Sequence, residues 1–140
     1  MTTLLPQSVL LFTSQIPLRW ADMDTYGHVN NVQYLRLLEQ SRVEWMGNST
    51  DHPEWGENVA IVSVHLDCDF HLQISYPGVA EIQVHLVKIG RSSVTIKQVL
   101  RMVGDERVRA EGNAVLVFTN MAAGTAVPIP QTARHLFEPR

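Results

Sequence analysis

Cysteine is nearly absent. The one residue, Cys68, in 140 excludes an intramolecular disulfide and with it a disulfide-stapled secreted scaffold. Basic residues are few: 11 Lys and Arg against 14 Asp and Glu give a formal charge of −3, which leaves no cationic footprint for nucleic acid. Long apolar runs are missing too. The N-terminal stretch MTTLLPQSVLLFTSQIP is broken by Ser, Gln and Pro and has no positive lead, so it reads neither as a membrane span nor as a signal peptide. No internal repeat, low-complexity tract or linker divides the chain. What is present, 45% hydrophobic and 18% charged residues, suits a packed core, and the length suits a single domain over residues 1–140. The expectation is a cytoplasmic protein with neither a nucleic-acid nor a membrane partner.

Polar residues are concentrated in one place. RWADMDTYGHVNNVQYLRLLE, residues 19–39, holds Asp22, Asp24, His28, Asn30 and Asn31 just ahead of a helical pattern. Two carboxylates there suit anion binding, nucleophile activation or simple capping. From Asn31 to Met46, Tyr34, Leu37, Leu38, Ser41 and Trp45 recur at helical spacing, with Arg36, Glu39, Gln40, Arg42 and Glu44 between them. Asn30 is the expected N-cap, and Gln33 three residues on completes a capping-box pattern. MGNSTDHPEWGEN then reads as a loop.

Beyond the loop the period changes to alternation. VAIVSVHLDCDFHLQISY, VAEIQVHLVKI, SSVTIKQVLRMV and RVRAEGNAVLVFTN are separated by YPG, GR and GDE, which predicts antiparallel hairpins in a meander. An initial strand over about residues 14–21 precedes the helix. One helix covers only one sheet face, yet AVLVF and AIVSV are apolar on both, which points to a two-fold partner subunit. A long helix wrapped by a curved antiparallel sheet of five to six strands is an α+β hotdog.

The loop DMDTYGHV, Asp22 to Val29, followed by NNVQY, resembles the D-x-D-x-x-G-[HI]-V signature of hotdog-fold acyl-CoA thioesterases of the 4-hydroxybenzoyl-CoA thioesterase-like family. The order of elements agrees over about residues 14 to 120. That resemblance implies hydrolysis of an acyl-CoA to free acid and CoA. It implies that Asp24 is the catalytic carboxylate, as nucleophile or general base, and that the backbone N–H of Asn31 polarises the thioester carbonyl. A helix start has unpaired N–H groups and partial positive charge, so it suits an oxyanion. The resemblance also implies substrate contacts near Lys88, Arg91, Ser92 and Ser93, and a homodimer or homotetramer (a dimer of dimers) with active sites at the subunit interface. No cofactor and no metal is expected. The chain departs from the family in having no Lys or Arg in residues 119–131, so the C-terminal segment supplies no phosphate-binding cation. The alternatives are an acyl-carrier-protein thioesterase, to which HVNN also bears likeness, or a non-catalytic acyl-binding hotdog protein. A hydratase fits less well, because no Asp-x-x-x-x-His loop follows the helix.

Other residues have plainer readings. Asp22 is expected to brace loop amides, and Gly27 to permit a tight turn. His28 either serves the site, by orienting Asp24 or touching substrate, or packs under the helix start. Glu39 stands on the helix, where some hotdog thioesterases carry their carboxylate, but a solvated glutamate is the commoner outcome. His65, Asp67, Asp69 and His71 would alternate on one strand face, too spread for one ion, so they are read as ion pairs. Leu66, Cys68, Phe70 and Leu72 would then face the core, Cys68 as a small hydrophobe. Trp45 is expected to pack in the core; Trp20 either lines an acyl pocket or packs, and packing is the plainer reading.

Overall fold

The computed structural model describes residues 8–47 and 51–139. The beginning of the N-terminal apolar stretch (1–7) and part of the expected loop (48–50) lie outside the described residues. In chain order the elements are β1 (Val9–Pro17), α1 (Asn31–Met46), β2 (Val59–Leu66), β3 (Asp69–Phe70), β4 (Val79–Ile89), β5 (Ser93–Met102), β6 (Asp105–Asn120) and β7 (Thr125–Ala126). Short 3-10 turns lie at Trp20–Asp22, Pro53–Trp55 and Gln131–Phe137. The first strand begins and ends earlier than the sequence suggests, because Val9 to Pro17 finds a full ladder on Leu86 to Val79 of β4.

Alternation decides which side of the sheet is dry. On β5, Val94, Ile96 and Leu100 are fully buried, and on β6 Ala110, Ala114, Leu116 and Phe118 follow the same two-residue period. Burying each of the larger side chains contributes about 1.5–3 kcal/mol. The helix lays its stripe on this face: Tyr34, Leu37, Leu38, Ser41, Trp45 and Met46 are buried. Long, twisting strands curl around it. The fold is a hotdog, as expected.

Arg42 departs from the expected pattern, since it too is buried. Gln98 is a buried amide on the inner face; its Oε1 accepts from the Arg42 Nη1 at 2.9 Å while its Nε2 donates to the Leu38 carbonyl at 2.8 Å. Burial lowers the Arg42 pKa, partly offset by the charge of Glu39. The Ser14 and Ser41 hydroxyls, 3.2 Å apart, make a second buried polar tie. Polar contacts of this kind select one rotation of the helix among those that hydrophobic packing alone would tolerate.

Topology differs from the expected meander. The sheet order is β1-β4-β5-β6-β2, all antiparallel, with β3 and β7 on β6. β4, β5 and β6 run as consecutive hairpins, and the short β7 folds back on the end of β6. The β2 strand pairs Val59 to Leu66 with Asn120 to Ala114 of β6, on the side of the sheet away from β4. Residues 67–78 therefore carry the chain across the molecule, and the YPG segment ends this crossover instead of turning a hairpin. β6 is long enough, at 16 residues, to hold partners on both of its sides.

That crossover requires a close approach. A methyl group added at Gly112 would overlap the Asp67 carbonyl oxygen and touch backbone atoms of Cys68. We expect Gly112→Ala to cost about 1–3 kcal/mol or more, by overpacking against backbone that cannot rotate away. Urea denaturation at unchanged m-value checks this, and a loss below about 0.5 kcal/mol would mean that the crossover yields easily.

Candidate active site

The chain reaches the site through a brace. Asp22, buried at the end of the first 3-10 turn, accepts from the Arg19 backbone N–H and the Arg19 guanidinium, both at 2.9 Å. Burial alone would raise its pKa, but the hydrogen bonds and charge of Arg19 outweigh it and hold the carboxyl below its usual range. Its backbone carbonyl accepts from the Asn30 N–H at 3.3 Å, joining the turn to the helix cap. A carboxylate with a depressed folded pKa stabilises the fold above its unfolded value and stops doing so as pH falls through the folded one. The melting-temperature gap between the native chain and Asp22→Asn should therefore be constant above about pH 5 and narrow below about pH 4. A gap independent of pH would show that Asp22 acts by shape alone.

The next seven residues fold back on themselves. Met23 and Val29 form an isolated antiparallel bridge, the Asp24 N–H donates to the His28 carbonyl at 2.8 Å, and the Gly27 N–H donates to the Asp24 carbonyl at 3.1 Å. Gly27 sits at φ 75°, where a side chain would be strained. Asp24 places Oδ1 inside this turn, accepting from the N–H of Tyr26 at 2.8 Å and of His28 at 3.3 Å. With Oδ1 committed, Oδ2 is the oxygen left for other partners.

The helix start follows at once. Asn30 is the N-cap, but its side chain accepts from Val32 at 2.9 Å, and the expected capping box with Gln33 does not form. The Asn30 N–H is engaged by Asp22, so a Gln33 side chain has no donor to reach back to. The Gln33 and Tyr34 N–H groups donate to the Asn30 carbonyl. Of the first four helical N–H groups, the one on Asn31 has no acceptor among the described residues.

Asp24, Tyr26, His28, Val29, Asn30, Asn31 and Gln73 line one cleft of about 380 Å³. The structure thus brings together three of the sequence candidates, Asp24, Asn31 and His28. The His28 ring makes no hydrogen bond to Asp24 among the described residues. Gln73 and Tyr26 were not singled out in the sequence. Gln73 arrives from the crossover, and its only signal is its place between the alternating run and the YPG segment.

The other candidates lie elsewhere. Lys88, Arg91, Ser92 and Ser93 form the β4–β5 hairpin, bolted down by Phe118 N–H to the Ser92 carbonyl and Ile129 N–H to the Arg91 carbonyl. The opposite end of β4 adjoins the site, where the Leu18 N–H meets the Gly78 carbonyl. The two ends are separated by the length of β4, roughly 33 Å, so one chain does not join this hairpin to Asp24. Glu39 is exposed, beside a groove between α1 and β2, and does not line the Asp24 cleft.

Two side-chain expectations are corrected. Trp20 does not pack: it is 77% exposed beside the loop, because its turn points outward from the end of β1. Leu66, Phe70 and Leu72 are also largely exposed and Cys68 is half-buried, since the run breaks between β2 and β3 instead of lying flat on the core. Burial and the neighbouring Asp69, Asp67 and Glu111 push the Cys68 thiol up to about 11, far from a nucleophilic thiolate. His65 pairs with Asp67 at 2.9 Å and His71 lies 3.7 Å from Glu111. Trp45 packs as expected and donates to the Leu136 carbonyl at 3.1 Å.

On this hotdog sheet, a carboxylate held by loop amides shares a cleft with a helix-start N–H that has no acceptor among the described residues. A family model described as the thioesterase-like superfamily matches residues 18–137, and the chain belongs to that family. It is 26% identical over 127 residues to the long-chain acyl-CoA thioesterase FadM of Escherichia coli (strain K12), a match spanning 89% of this chain and 96% of the relative. Among solved structures, the PA2801 protein of Pseudomonas aeruginosa superposes with a TM-score of 0.83 at 29% identity, over 92% of this chain and 99% of the other. Slr0204, a 1,4-dihydroxy-2-naphthoyl-CoA thioesterase from Synechocystis, shares the fold at a TM-score of 0.80 and 16% identity, over 90% and 94% of the two chains.

Proposed function

We propose that the chain hydrolyses acyl-CoA thioesters to free acid and CoA, with Asp24 as the catalytic carboxylate and the Asn31 backbone N–H as the oxyanion donor. The observation that carries this reading is that Asp24 and the acceptor-free Asn31 N–H line the same cleft. A thioester carbonyl seated at the helix start would develop its negative charge against that N–H and the helix dipole. The Asp24 Oδ2 would then either attack the carbonyl carbon, giving a mixed anhydride that water opens, or take a proton from an attacking water. The thiolate leaves without needing a strong acid. His28 and Tyr26 serve as cleft walls that contact the substrate.

CoA is favoured over a carrier protein because FadM is named as a long-chain acyl-CoA thioesterase and an acidic carrier would want a basic rim, which a charge of −3 does not offer. Lys88, Arg91, Ser92 and Ser93 reach the nucleotide end of the substrate from a second copy. The β2 edge has no ladder partner on its outer side among the described residues, Val64 and Leu66 are exposed on it, and α1 turns Val32, Leu35 and Val43 to solvent. A two-fold axis beside β2 reverses the strand direction, so the partner's hairpin end lies at this chain's Asp24 end. No helix among the described residues is long and apolar enough to cross a membrane, and a cytoplasmic location belongs to the same reading.

The test is a screen of short, medium, long and aromatic acyl-CoAs, with free thiol as the readout and mass by light scattering alongside. Thiol release and a dimer mass are expected. Silence on every CoA ester would sink the substrate reading, and a monomer with full activity would sink the shared site.

A further inference from the structure

We propose that Tyr34 is a positioning residue: its hydroxyl clasps the crossover strap at Leu72–Ile74 and thereby sets the Asp24 loop against the helix start. This rests on the assignment of Asp24 and Asn31 above. Tyr34 stands one turn after Asn31, and its side chain points into the core with 2% of its surface exposed. The hydroxyl accepts the Ile74 N–H at 3.0 Å and donates to the Leu72 carbonyl at 3.3 Å. The Phe70 ring meets it edge-on with centroids 5.2 Å apart. Burial raises the Tyr34 pKa, so the hydroxyl keeps the proton that it donates.

The strap in turn holds the loop. The Ile74 carbonyl accepts from the Val29 N–H at 2.8 Å, Ser75 Oγ donates to the Gly27 carbonyl at 2.9 Å, and the Tyr76 N–H reaches Met23 Sδ at 3.1 Å. These contacts fall on both sides of Asp24. The strap is also where Gln73 enters the cleft, and the Arg109 guanidinium binds the Gln73 carbonyl at 3.0 Å. A closed circuit results: helix start to Tyr34 hydroxyl, to strap, to loop, and back to the helix through Asn30. Within it the loop and the helix are registered by hydrogen bonds as well as by packing, since Val29, Tyr34 and Ile74 share one buried cluster. Displacements below an ångström at reacting groups cost large factors in rate, so a clasp of this kind matters to turnover more than to binding.

The experiment compares Tyr34→Phe with the native chain on palmitoyl-CoA, or on whichever ester the native chain cleaves fastest. Asp24→Asn and Leu11→Val are measured in parallel. Tyr34→Phe keeps the ring and removes only the hydroxyl. It should lower kcat by about tenfold or more, with KM within about twofold. Hydrogen exchange at the Val29 and Ile74 amides should quicken. Leu11→Val trims the core cluster that holds neither Tyr34 nor Val29, and should lower the melting temperature while leaving kcat within about twofold. Should Tyr34→Phe fold poorly, Ser75→Ala opens the same circuit at its other clasp, with about a threefold fall in kcat expected. An inactive Asp24→Asn beside a Tyr34→Phe or Ser75→Ala of native kcat overturns this inference alone. An Asp24→Asn of native kcat overturns the site assignment, and the positioning role with it.

Discussion

Asp24→Asn is expected to lower kcat by about 10²–10⁴-fold, the range for losing a positioned base or nucleophile, with KM little changed. The substitution is informative because of how Asp24 is held. Its Oδ1 accepts two loop amides, Tyr26 and His28, and an asparagine Oδ1 can accept both. The amide nitrogen then replaces only the second oxygen, which is the one assigned to chemistry. Loop shape, cleft walls and the free helix N–H should persist, so the melting temperature should stay near native while turnover collapses. Asp24→Ala would confuse the two effects by freeing the loop amides. Steady-state thiol release across the accepted esters checks this, and near-native turnover would remove Asp24 from the mechanism.

The second large effect is expected at Asn31 and concerns its backbone. Asn31 is the first helical residue, where proline is well tolerated, and Asn30 has φ −63° and ψ 143°, the extended conformation that a residue before proline requires. Asn31→Pro thus deletes one N–H and leaves the helix intact. Removal of an oxyanion donor costs about 10²–10³ in kcat, and we expect a loss of that size. Asn31→Ala keeps the N–H and should stay within about threefold of native. The pair separates main-chain from side-chain function in a way that no single substitution does. Equal activity in both would place the oxyanion donor elsewhere, since Val32, Gln33 and Tyr34 already spend theirs on Asn30.

The helix and the Asp24 loop were legible because their determinants are local. A stripe at 3.6-residue spacing and a short signature lie within the residues that form them. What was not legible came from far along the chain. Arg42 looks like a surface residue until Gln98, 56 positions away, turns out to face it across the core. The capping box failed because Asp22 had already taken the Asn30 N–H. β2 was expected beside β4, since nearby strands commonly pair. The long β6 instead offers it an edge, and Gly112 permits the crossover to pass. Gln73 entered the cleft by that same route. Trp20 was misread because a large aromatic side chain is usually buried, and nothing local marks a turn that leaves it outside.

That exposed ring has a practical meaning. Of the three tryptophans, Trp45 and Trp55 are sealed in the core, at 3% and 6% exposure, while Trp20 stands in water at 77% beside the Asp22–Asp24 loop. The intrinsic emission of the native protein accordingly divides by place. A red-shifted, quencher-accessible component belongs to the turn that precedes the Asp24 loop, and a blue, shielded one to the interior. The fold has in effect built an optical label next to the loop proposed for catalysis, with two internal references that stay dark to solvent.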